Sequence, residues 1–347
     1  MAQPFSTLMR SLLDPRLIDP TASEPGLIVD VRDERRTLLF DLAPMPAMSP
    51  RVLLRTSHAF VTHTHMDHFA GFDHLLAVGL GRMSTLSLWG GPDFVAQVEH
   101  KLRAYTWNVV HRYPVGLRLQ VHEAWPDGTR RRAHFDSTQR FVRAGDCTWH
   151  ADDDVLHDET MFRVRTCFVD HEMTVLAFAL EEKAQLRIAA GRLAEAGLTS
   201  GAWLGQLKRA VLSGAPGDTP IALRWRDRAG EHQSMSTVDS LKLLVLDAVP
   251  GRRIGYVTDL CFSDANIERL HALLADVDLL YIESTFLHAD RAHAERKNHL
   301  TARQAGEIAR KVGAKSLVPF HFSPRYQGRE AALIDEARRA WQGLEVM

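Results

Sequence analysis

The sequence predicts a layered α/β protein. Apolar runs with the period of β-strands alternate with segments of helical period along the chain, and nothing repeats at intervals of roughly 20 to 50 residues. With 347 residues, of which 45% are hydrophobic, the chain is long enough to bury one large core or two modest ones. Polar residues follow several of the apolar runs, and layered α/β proteins carry their sites at such strand ends.

Short apolar runs predict the strands. The first two, LIVDVR and TLLFDL, form a hairpin and are followed by HAFVTH. The later candidates are LRLQVHEAW, FRVRTCFV, TVLAFAL, LKLLVLD, RIGYVTD, VDLLYIES and SLVPFH. Helices are predicted after Asp67, after Pro92, near residues 263–275 and over residues 301–313. Thr301 and Gln304 have the spacing of a capping box, which marks the start of the last helix. SGAPGDTP and DGTRRRAHFDS predict surface loops.

Charge is balanced over the whole chain but not locally. The formal net charge is -1, which gives no overall attraction for polyanions. Residues 183–230 carry eight Lys and Arg against three Asp and Glu, so this segment has a charge of +5 and the remainder has -6. Any binding of nucleic acid is therefore expected to depend on a local patch.

Composition also predicts where the protein is located and whether its cysteines form disulfides. No apolar run approaches the roughly 18 residues of a membrane span, and Pro and charge interrupt the N-terminus before a signal-like core develops. We therefore expect no membrane association and a cytoplasmic location. Cys147, Cys167 and Cys261 are odd in number and far apart, which argues against a disulfide framework. They are predicted to be buried thiols.

The stretch FVTHTHMDHFAGF concentrates metal-binding side chains directly after an apolar strand. His63 and His65 are separated by one residue and project to the same side of an extended segment, so they can share a metal ion. Asp67 and His68 fall at the turn into the next helix, where the reversal of direction lets them face a second ion. Because imidazole is the commonest metal ligand, the stretch predicts a metal site rather than a solvated turn.

Further ligands are available at the ends of later strands. His171 follows RVRTCFVD, Asp259 ends RIGYVTD and His321 ends SLVPFH. Each alone would more often be a structural or surface residue, but together they complete two coordination shells. One ion would have three imidazoles, the other two imidazoles and a carboxylate, and one carboxylate could bridge them. Ligands that are mostly His, with no Cys, favour two zinc ions, with manganese or iron as alternatives.

Six motifs occur in one order along the chain. They are THTHMDH, DH at 170–171, YVTD at 256–259, ESTF at 283–286, NHLTARQAGEIA, and HFSPRY at 321–326. Together they resemble the metallo-β-lactamase superfamily and, within it, the ribonuclease Z family of tRNA 3′-processing endonucleases. The first motif indicates only the superfamily, whereas the last three indicate a much narrower group of proteins within it. The resemblance runs from about residue 27 to about residue 330. It implies an αββα sandwich with metal ions at its edge, and a homodimer.

The resemblance also implies a role for each residue of the site. The two ligand sets would be His63, His65 and His171 for one zinc ion, and Asp67, His68 and His321 for the other, with Asp259 bridging both. Asp67 would also orient or deprotonate the metal-held hydroxide, while Glu283 and His299 would form a relay that protonates the leaving oxygen. An alkoxide leaving group does need an acid, so the chemistry agrees. The alternative for His299 is helix capping or surface exposure.

The basic segment carries a second resemblance. EEK followed by GLTSGAWLGQLKRA is similar to the part of ribonuclease Z that enters a projecting tRNA-binding arm. We therefore expect a single hydrolase domain over residues 1–347, with an inserted basic arm over residues 183–235.

Four basic residues are candidate contacts to RNA phosphates. Lys208 and Arg209 lie in the expected arm, and Arg296 and Lys297 precede the expected relay. Contacts of this kind position a nucleic acid without reading its bases. The alternative at both places is a solvated helix or loop.

Three functions are compatible with the sequence. A zinc endoribonuclease acting on tRNA-like 3′ ends is favoured by the complete relay and the basic arm. A phosphodiesterase for small or cyclic substrates is favoured by the near-neutral charge and by LAPMPAMSPR after Asp41, where ribonuclease Z has a GEGTQ segment close to the substrate. A non-catalytic, metal-bound nucleic-acid-binding module is the least favoured, because both the ligands and the relay are complete.

Overall fold

The computed structural model describes residues 11–344 apart from residues 20, 22, 46, 47, 184, 228, 229 and 250. The chain divides into two compact units. The second unit comprises residues 158–163 and 181–252, and the first comprises the described residues on either side of these segments. The second unit contains the segment expected to be an inserted arm, and its role as an arm stays a prediction. Arg228 of the basic segment lies outside the described residues.

The strands form two large sheets and two antiparallel pairs. In chain order the strands are β1 (Leu13–Leu17), β2 (Leu27–Val31), β3 (Arg36–Phe40), β4 (Thr56–Phe60), β5 (Thr85–Gly90), β6 (Arg118–Ala124), β7 (Thr129–Asp136), β8 (Arg143–His150), β9 (Val155–Asp158), β10 (Phe162–Asp170), β11 (Thr174–Glu182), β12 (Gln185–Ile188), β13 (Pro220–Asp227), β14 (Gly230–Thr237), β15 (Leu246–Val249), β16 (Arg253–Val257), β17 (Leu279–Glu283) and β18 (Leu317–Phe320). The helices are α1 (Pro50–Leu53), α2 (Met66–Phe69), α3 (Gly71–Gly79), α4 (Phe94–Arg103), α5 (Ala190–Glu195), α6 (Ala202–Leu212), α7 (Val238–Val245), α8 (Asp264–Leu274), α9 (Arg291–Arg296), α10 (Ala302–Lys311) and α11 (Glu330–Gln342).

The first sheet contains β1 to β8 in sequence order. Its ends are antiparallel, and β3 to β6 run parallel at its centre. The predicted hairpin of LIVDVR and TLLFDL is confirmed as the β2–β3 pair. Because side chains alternate across a strand, one face of the sheet carries Leu39 and Leu88, which pack in one buried cluster with Phe72 of α3 and Val98 of α4.

The second sheet has the order β18-β17-β16-β11-β10-β9, with β16, β17 and β18 parallel. Its inner face packs against the first sheet through aromatic rings. The ring of Phe40 on β3 lies 5.5 Å from that of Phe178 on β11 and 6.0 Å from that of Tyr256 on β16. Helices α10 and α11 pack against β17 and β18. The αββα sandwich expected from the resemblance is therefore confirmed.

The second unit has its own hydrophobic core. β12 pairs with β15, and β13 pairs with β14. Trp203 and Leu207 of α6 pack in one buried cluster with Leu241 and Val245 of α7. The loop predicted at SGAPGDTP connects α6 to β13. The strand predicted at LKLLVLD is wrong over most of its length, because α7 continues to Val245. The buried residues of α7, which are Val238, Leu241 and Val245, recur three and four apart, as in a helix, and not two apart.

Two predictions for the first unit are wrong. DGTRRRAHFDS is not a loop, since residues 129–136 form β7. Ala133 and Phe135 alternate with more exposed residues and point into the core, and the run of arginines hides this pattern in the sequence.

The prediction of three buried thiols is also wrong. Cys147 is exposed because it lies on β8, the edge strand of the sheet, and Cys167 and Cys261 are only half-buried.

The predicted helices are confirmed as α2 with α3, α4, α8 and α10. The capping box is present, because the Thr301 hydroxyl accepts from the Gln304 N–H and the Gln304 side chain accepts from the Thr301 N–H. Within the described ranges, no helix has the length and apolar character needed to cross a membrane.

Candidate metal centre

The residues predicted as metal ligands meet at the carboxyl ends of the strands. His63 follows β4, His171 follows β10, Asp259 follows β16 and His321 follows β18. His65 immediately precedes α2, and Asp67 and His68 lie within it. Parallel strands bring their carboxyl ends to the same edge of a sheet, so residues far apart in sequence are collected at one place.

Three of the strand ends at this edge turn through the left-handed region of backbone space. The φ angles are 59° at Asp41, 52° at Asp259 and 59° at His321. A residue with a Cβ atom is disfavoured there by roughly 1 to 2 kcal/mol. Such conformations cluster at functional sites, where the surrounding structure holds them in place.

The first group of ligand atoms surrounds one oxygen of Asp259. The Nε2 atom of His63 lies 3.5 Å from Oδ2 of Asp259, and Nε2 of His171 lies 3.6 Å from the same oxygen. His65 also belongs here, since its ligand atom and those of His63 and Asp259 all lie within 4.8 Å of one another. Three imidazoles and one carboxylate thus face a common point.

The second group surrounds Asp67 and also contacts Asp259. The Nε2 atoms of His68 and His321 each lie 3.4 Å from Oδ2 of Asp67. Nε2 of His68 is also 3.4 Å from Oδ2 of Asp259, and Nδ1 of His321 is 3.1 Å from its Oδ1. Asp259 therefore contacts both groups, which is the placement that a bridging carboxylate requires.

Two buried nitrogen atoms test whether metal ions fit this arrangement. Nε2 of His63 and Nε2 of His68 are buried and find no hydrogen-bond partner within the described part of the chain. Leaving such an atom unsatisfied costs about 1 to 3 kcal/mol. Ligation of a metal ion removes that cost, and the set of imidazoles and carboxylates is one that zinc accepts.

The electrostatics of the two groups agree with a cation at this place. Burial, together with the nearby His68, lowers the pKa of His63, which keeps its imidazole neutral. Burial would also lower the pKa of His321, but the Asp259 carboxylate outweighs it and raises the pKa to about 10. Asp259 and Asp41 likewise hold the pKa of His68 well above its usual value. The carboxylates therefore attract positive charge, which bound metal ions would supply.

Asp41 is a site residue that the sequence analysis did not assign. It is fully buried, and its Oδ2 accepts a hydrogen bond of 2.9 Å from Nδ1 of His68. It also accepts bonds from the Thr62 N–H at 2.7 Å and from the Tyr256 hydroxyl at 2.9 Å. This network fixes the tautomer of His68, so that its Nε2 faces the ligand group. The signal was available, since Asp41 ends an apolar strand as Asp259 and His321 do.

His171 is oriented by a backbone group. Its Nδ1 donates a hydrogen bond of 2.8 Å to the carbonyl oxygen of Asn298, which leaves Nε2 free to face Asp259. Asn298 has a left-handed φ of 57°. A carbonyl contact of this kind depends on backbone geometry and has no signature in the sequence.

Glu283 and His299, predicted to form a relay, are in direct contact. Nδ1 of His299 lies 2.7 Å from Oε2 of Glu283. Burial would lower the pKa of His299, but the carboxylate of Glu283 outweighs it and raises the pKa. The ring of His299 lies 5.0 Å from that of His171 and 5.5 Å from that of His321. The pair therefore adjoins both ligand groups.

Glu283 is fully buried and does more than contact His299. Its Oε1 accepts a hydrogen bond of 2.9 Å from the N–H of Leu260, the residue after Asp259. Its Oε2 accepts a bond of 2.7 Å from the Thr285 hydroxyl. Glu283 therefore also holds the loop that carries the candidate bridging ligand.

Sequence comparison assigns this centre to a family. Residues 219–322 match the family model described as the beta-lactamase superfamily domain. Ribonuclease Z of Deinococcus radiodurans is 30% identical to the chain over 286 residues, which are 82% of this chain and 80% of that protein. The chain belongs to the ribonuclease Z family. Ribonuclease Z of Haloferax volcanii is 26% identical over 337 residues, which are 94% of this chain and 87% of that protein.

Two solved structures share the fold. The short form of human tRNase Z has a TM-score of 0.51 and 18% identity, with 90% of each chain covered. Unliganded yeast PDE1 has a TM-score of 0.50 and 9% identity, with 96% of this chain and 93% of that chain covered. At these identities the likeness concerns the fold alone.

Membership of the ribonuclease Z family makes the chain a metal-dependent hydrolase of the endoribonuclease class. This result sets aside the non-catalytic binding module. The identity and number of the metal ions and the role of each residue of the site stay predictions.

The four residues predicted to bind substrate lie in different parts of the chain. Arg296 ends α9 and Lys297 follows it, and both side chains are exposed two to three positions before His299. Lys208 and Arg209 lie on α6 of the second unit, where Lys208 is half-buried and Arg209 is exposed. Their contact with a substrate of the ribonuclease Z family stays a prediction.

Proposed function

We propose that this protein is an endoribonuclease that cleaves tRNA-like RNA at its 3′ end with two zinc ions. The observation that carries the proposal is Asp259, whose carboxylate contacts imidazoles of both groups: Oδ2 lies within 3.6 Å of His63, His171 and His68, and Oδ1 lies 3.1 Å from His321. The name ribonuclease Z, shared by the relatives from Deinococcus radiodurans and Haloferax volcanii, supports RNA over a small or cyclic phosphodiester.

The residues divide into two ligand sets. His63, His65 and His171 would hold one ion, Asp67, His68 and His321 would hold the other, and Asp259 would bridge them. Bound ions of this kind lower the pKa of water toward neutrality and neutralise charge on the phosphate. His63 and His65 are suited to ligation because burial lowers the pKa of both, and a neutral imidazole is the ligating form.

Asp67 would accept the proton of the attacking water. Its side chain is 46% exposed, so it can be reached from solvent. Burial would raise the pKa of this carboxyl, but the nearby imidazoles of His321 and His68 outweigh it and hold the pKa below its usual value. The carboxylate is therefore ionised at neutral pH and is positioned to orient the water.

His299 would donate a proton to the leaving oxygen. Its Nδ1 contacts Glu283, which leaves Nε2 as the atom that can face the substrate. Because Glu283 raises the pKa of His299, a larger fraction of the imidazole is protonated near neutral pH. A ribose 3′ oxygen is a poor leaving group, and a positioned acid allows the bond to phosphorus to break.

A cationic surface beside the relay would hold the RNA backbone. The side chains of Arg296, Lys297 and Arg325 lie close enough to His293 to contribute, after burial, to lowering its pKa. The guanidinium of Arg325 also lies over the ring of Phe286, 5.6 Å from its centroid. These three cations surround His293, whose ring lies 5.1 Å from that of Phe286, and the ring of His299 lies 6.2 Å from the same ring. Cations in this position would favour contacts to phosphates near the scissile bond.

The second unit would contribute a separate contact. Lys208 and Arg209 lie together on α6, whose opposite side is buried through Trp203 and Leu207. A folded element that presents basic side chains can bind phosphates by charge, without dependence on sequence. The homodimer and the cytoplasmic location expected from the sequence stay predictions.

Cleavage of a precursor tRNA with a 3′ trailer tests this function. The zinc-reconstituted protein is expected to release the trailer with a 5′-phosphate and to leave a 3′-hydroxyl on the tRNA, as read by end-labelled RNA on a sequencing gel. The Asp67→Ala variant, purified in the same way, controls for contaminating nucleases. Equal cleavage of an unstructured RNA of the same length, or hydrolysis of aryl phosphodiesters only, would overturn the proposal.

A further inference from the structure

Asn266 is a fully buried amide in the first turn of α8. Its side-chain nitrogen donates to the carbonyl oxygens of Asp170, at 3.0 Å, and Cys261, at 2.9 Å. Its side-chain oxygen accepts a bond of 2.9 Å from the N–H of Asp170. Both N–H groups of the amide are therefore used for backbone carbonyl oxygens. The side-chain oxygen also accepts a longer bond of 3.4 Å from the Arg269 guanidinium.

The two backbone segments that Asn266 joins both carry candidate ligands. Asp170 immediately precedes His171, and Cys261 lies two residues after Asp259. The Cys261 N–H also donates to the Asp170 carbonyl oxygen at 2.8 Å. Asp170 is the last residue of β10, and the amide of Asn266 offers its backbone the donor and acceptor that a neighbouring strand would offer.

We infer that Asn266 is a positioning residue that sets the separation of His171 and Asp259. Nε2 of His171 lies 3.6 Å from Oδ2 of Asp259 only while their two loops are held together. The loop after His171 includes Glu172 with a left-handed φ of 58°, a conformation that needs support from its surroundings. Asn266 supplies this support from a buried position and touches neither ligand side chain.

Asn266 thereby acts more on one ion than on the other, because the loop of Asp259, which contacts both groups, is also held by Glu283 through the Leu260 N–H. The ion expected at His63, His65 and His171 depends on the β10 loop, whereas Asp67, His68 and His321 lie on α2 and after β18. Loss of an outer hydrogen-bond partner of a metal site typically lowers metal affinity by about 10- to 100-fold. This inference rests on the proposed two-metal site.

The test is a Co²⁺ titration of the metal-free protein, followed by visible absorption and by metal analysis. Asn266→Ala is expected to weaken one of two binding steps by about 10- to 100-fold and to change the other much less. Asn266→Asp keeps the acceptor for the Asp170 N–H but loses both donors, so it should show a smaller shift in the same step.

Thr166→Val is the matched control. Thr166 is buried on the same strand, β10, and its hydroxyl donates to the carbonyl oxygen of Ala177 at 2.8 Å, away from the ligands. This variant loses a comparable buried bond and should keep both binding steps.

The possible outcomes separate this inference from the proposed function. Suppose that the unaltered protein binds two Co²⁺ ions. The inference is then overturned, and the function stands, if Asn266→Ala binds both ions with unchanged affinity. The same holds if Asn266→Ala and Thr166→Val each weaken the binding of both ions equally. If the unaltered protein binds fewer than two ions, the proposed function fails instead. Should Asn266→Ala not fold, unchanged Co²⁺ affinities of Asn266→Asp would overturn the inference.

Discussion

Nδ1 of His299 lies 2.7 Å from Oε2 of the fully buried Glu283. This contact directs the other ring nitrogen of His299 outward. His299→Ala should therefore lower kcat on precursor tRNA by about 10²- to 10⁴-fold, the usual effect of removing a positioned acid. Hydrolysis of bis(p-nitrophenyl) phosphate should change far less, because nitrophenolate leaves without a proton. Rates on the two substrates, measured with the same zinc-loaded preparation, check the prediction.

His271→Ala is the control for this variant, since His271 is exposed on α8. It should leave both rates unchanged. Equal losses on the two substrates in His299→Ala, or loss of a metal ion, would show that His299 supports the metal site and does not act as an acid.

Asp67→Ala should abolish hydrolysis of both substrates without unfolding the protein. The side chain is 46% exposed and lies on the short helix α2, so the core does not depend on it. Activity and thermal unfolding by circular dichroism are the measurements. The neighbouring Met66, whose side chain is 82% exposed, provides the control Met66→Ala, which should be fully active. More than a few per cent of activity in Asp67→Ala would contradict the proposed role.

The protein should bind two zinc ions per chain after reconstitution. The ligand atoms form two groups that share Asp259, and each group contains at least two imidazoles. Removal of the ions with a chelator should lower the melting temperature, because ligands that bind only the folded state stabilise it. Plasma mass spectrometry and differential scanning fluorimetry test both points. A content of one ion or none would be incompatible with this arrangement.

Asp41→Asn should lower metal affinity by more than the accompanying destabilisation of the fold accounts for. Asp41 accepts hydrogen bonds from the N–H and the hydroxyl of Thr62, from His68 and from Tyr256, and an amide in its place presents a donor to at least one of them. The expected loss of metal affinity is about 10- to 100-fold. Tyr256→Phe removes one of these bonds, worth about 1 kcal/mol, without contacting His68, and it should retain both ions. Equal metal affinity in the two variants would argue against a special role for Asp41.

Lys208→Ala combined with Arg209→Ala should weaken cleavage of precursor tRNA and flatten its dependence on salt. Each phosphate contact releases counterions, so fewer contacts give a shallower slope of affinity against salt. The aryl phosphodiester should be hydrolysed at the normal rate. Lys311→Ala, an exposed charge at the end of α10, serves as the control. A similar loss on the aryl substrate would mean that α6 has a structural role.

The sequence was sufficient for the strand ends but not for the groups that orient them. His63, Asp259 and His321 each follow an apolar strand, and that pattern can be read directly. The carbonyl of Asn298 and the amide of Asn266 act through backbone positions that are set by folding, so no sequence spacing reveals them.

Two secondary-structure predictions are wrong, at α7 in the second unit and at β7, because the period of the buried residues cannot be read from the sequence there. The sequence predicts a strand where α7 lies because the apolar residues of LKLLVLD are nearly continuous, and the period of such a run cannot be determined. In β7 the sequence has a run of arginines, and it hides a pattern in which Arg130, Ala133 and Phe135 are the buried residues.

The left-handed backbone at Asp259 and His321 sets stability against activity in this protein. Glycine adopts this conformation freely, whereas each of these residues loses roughly 1 to 2 kcal/mol to it. Evolution toward heat resistance, without a requirement for cleavage, would therefore favour glycine at such positions in the metal-free protein. Directed evolution of this chain therefore has to select for turnover in every round, because selection for stability alone would replace residues of the active centre.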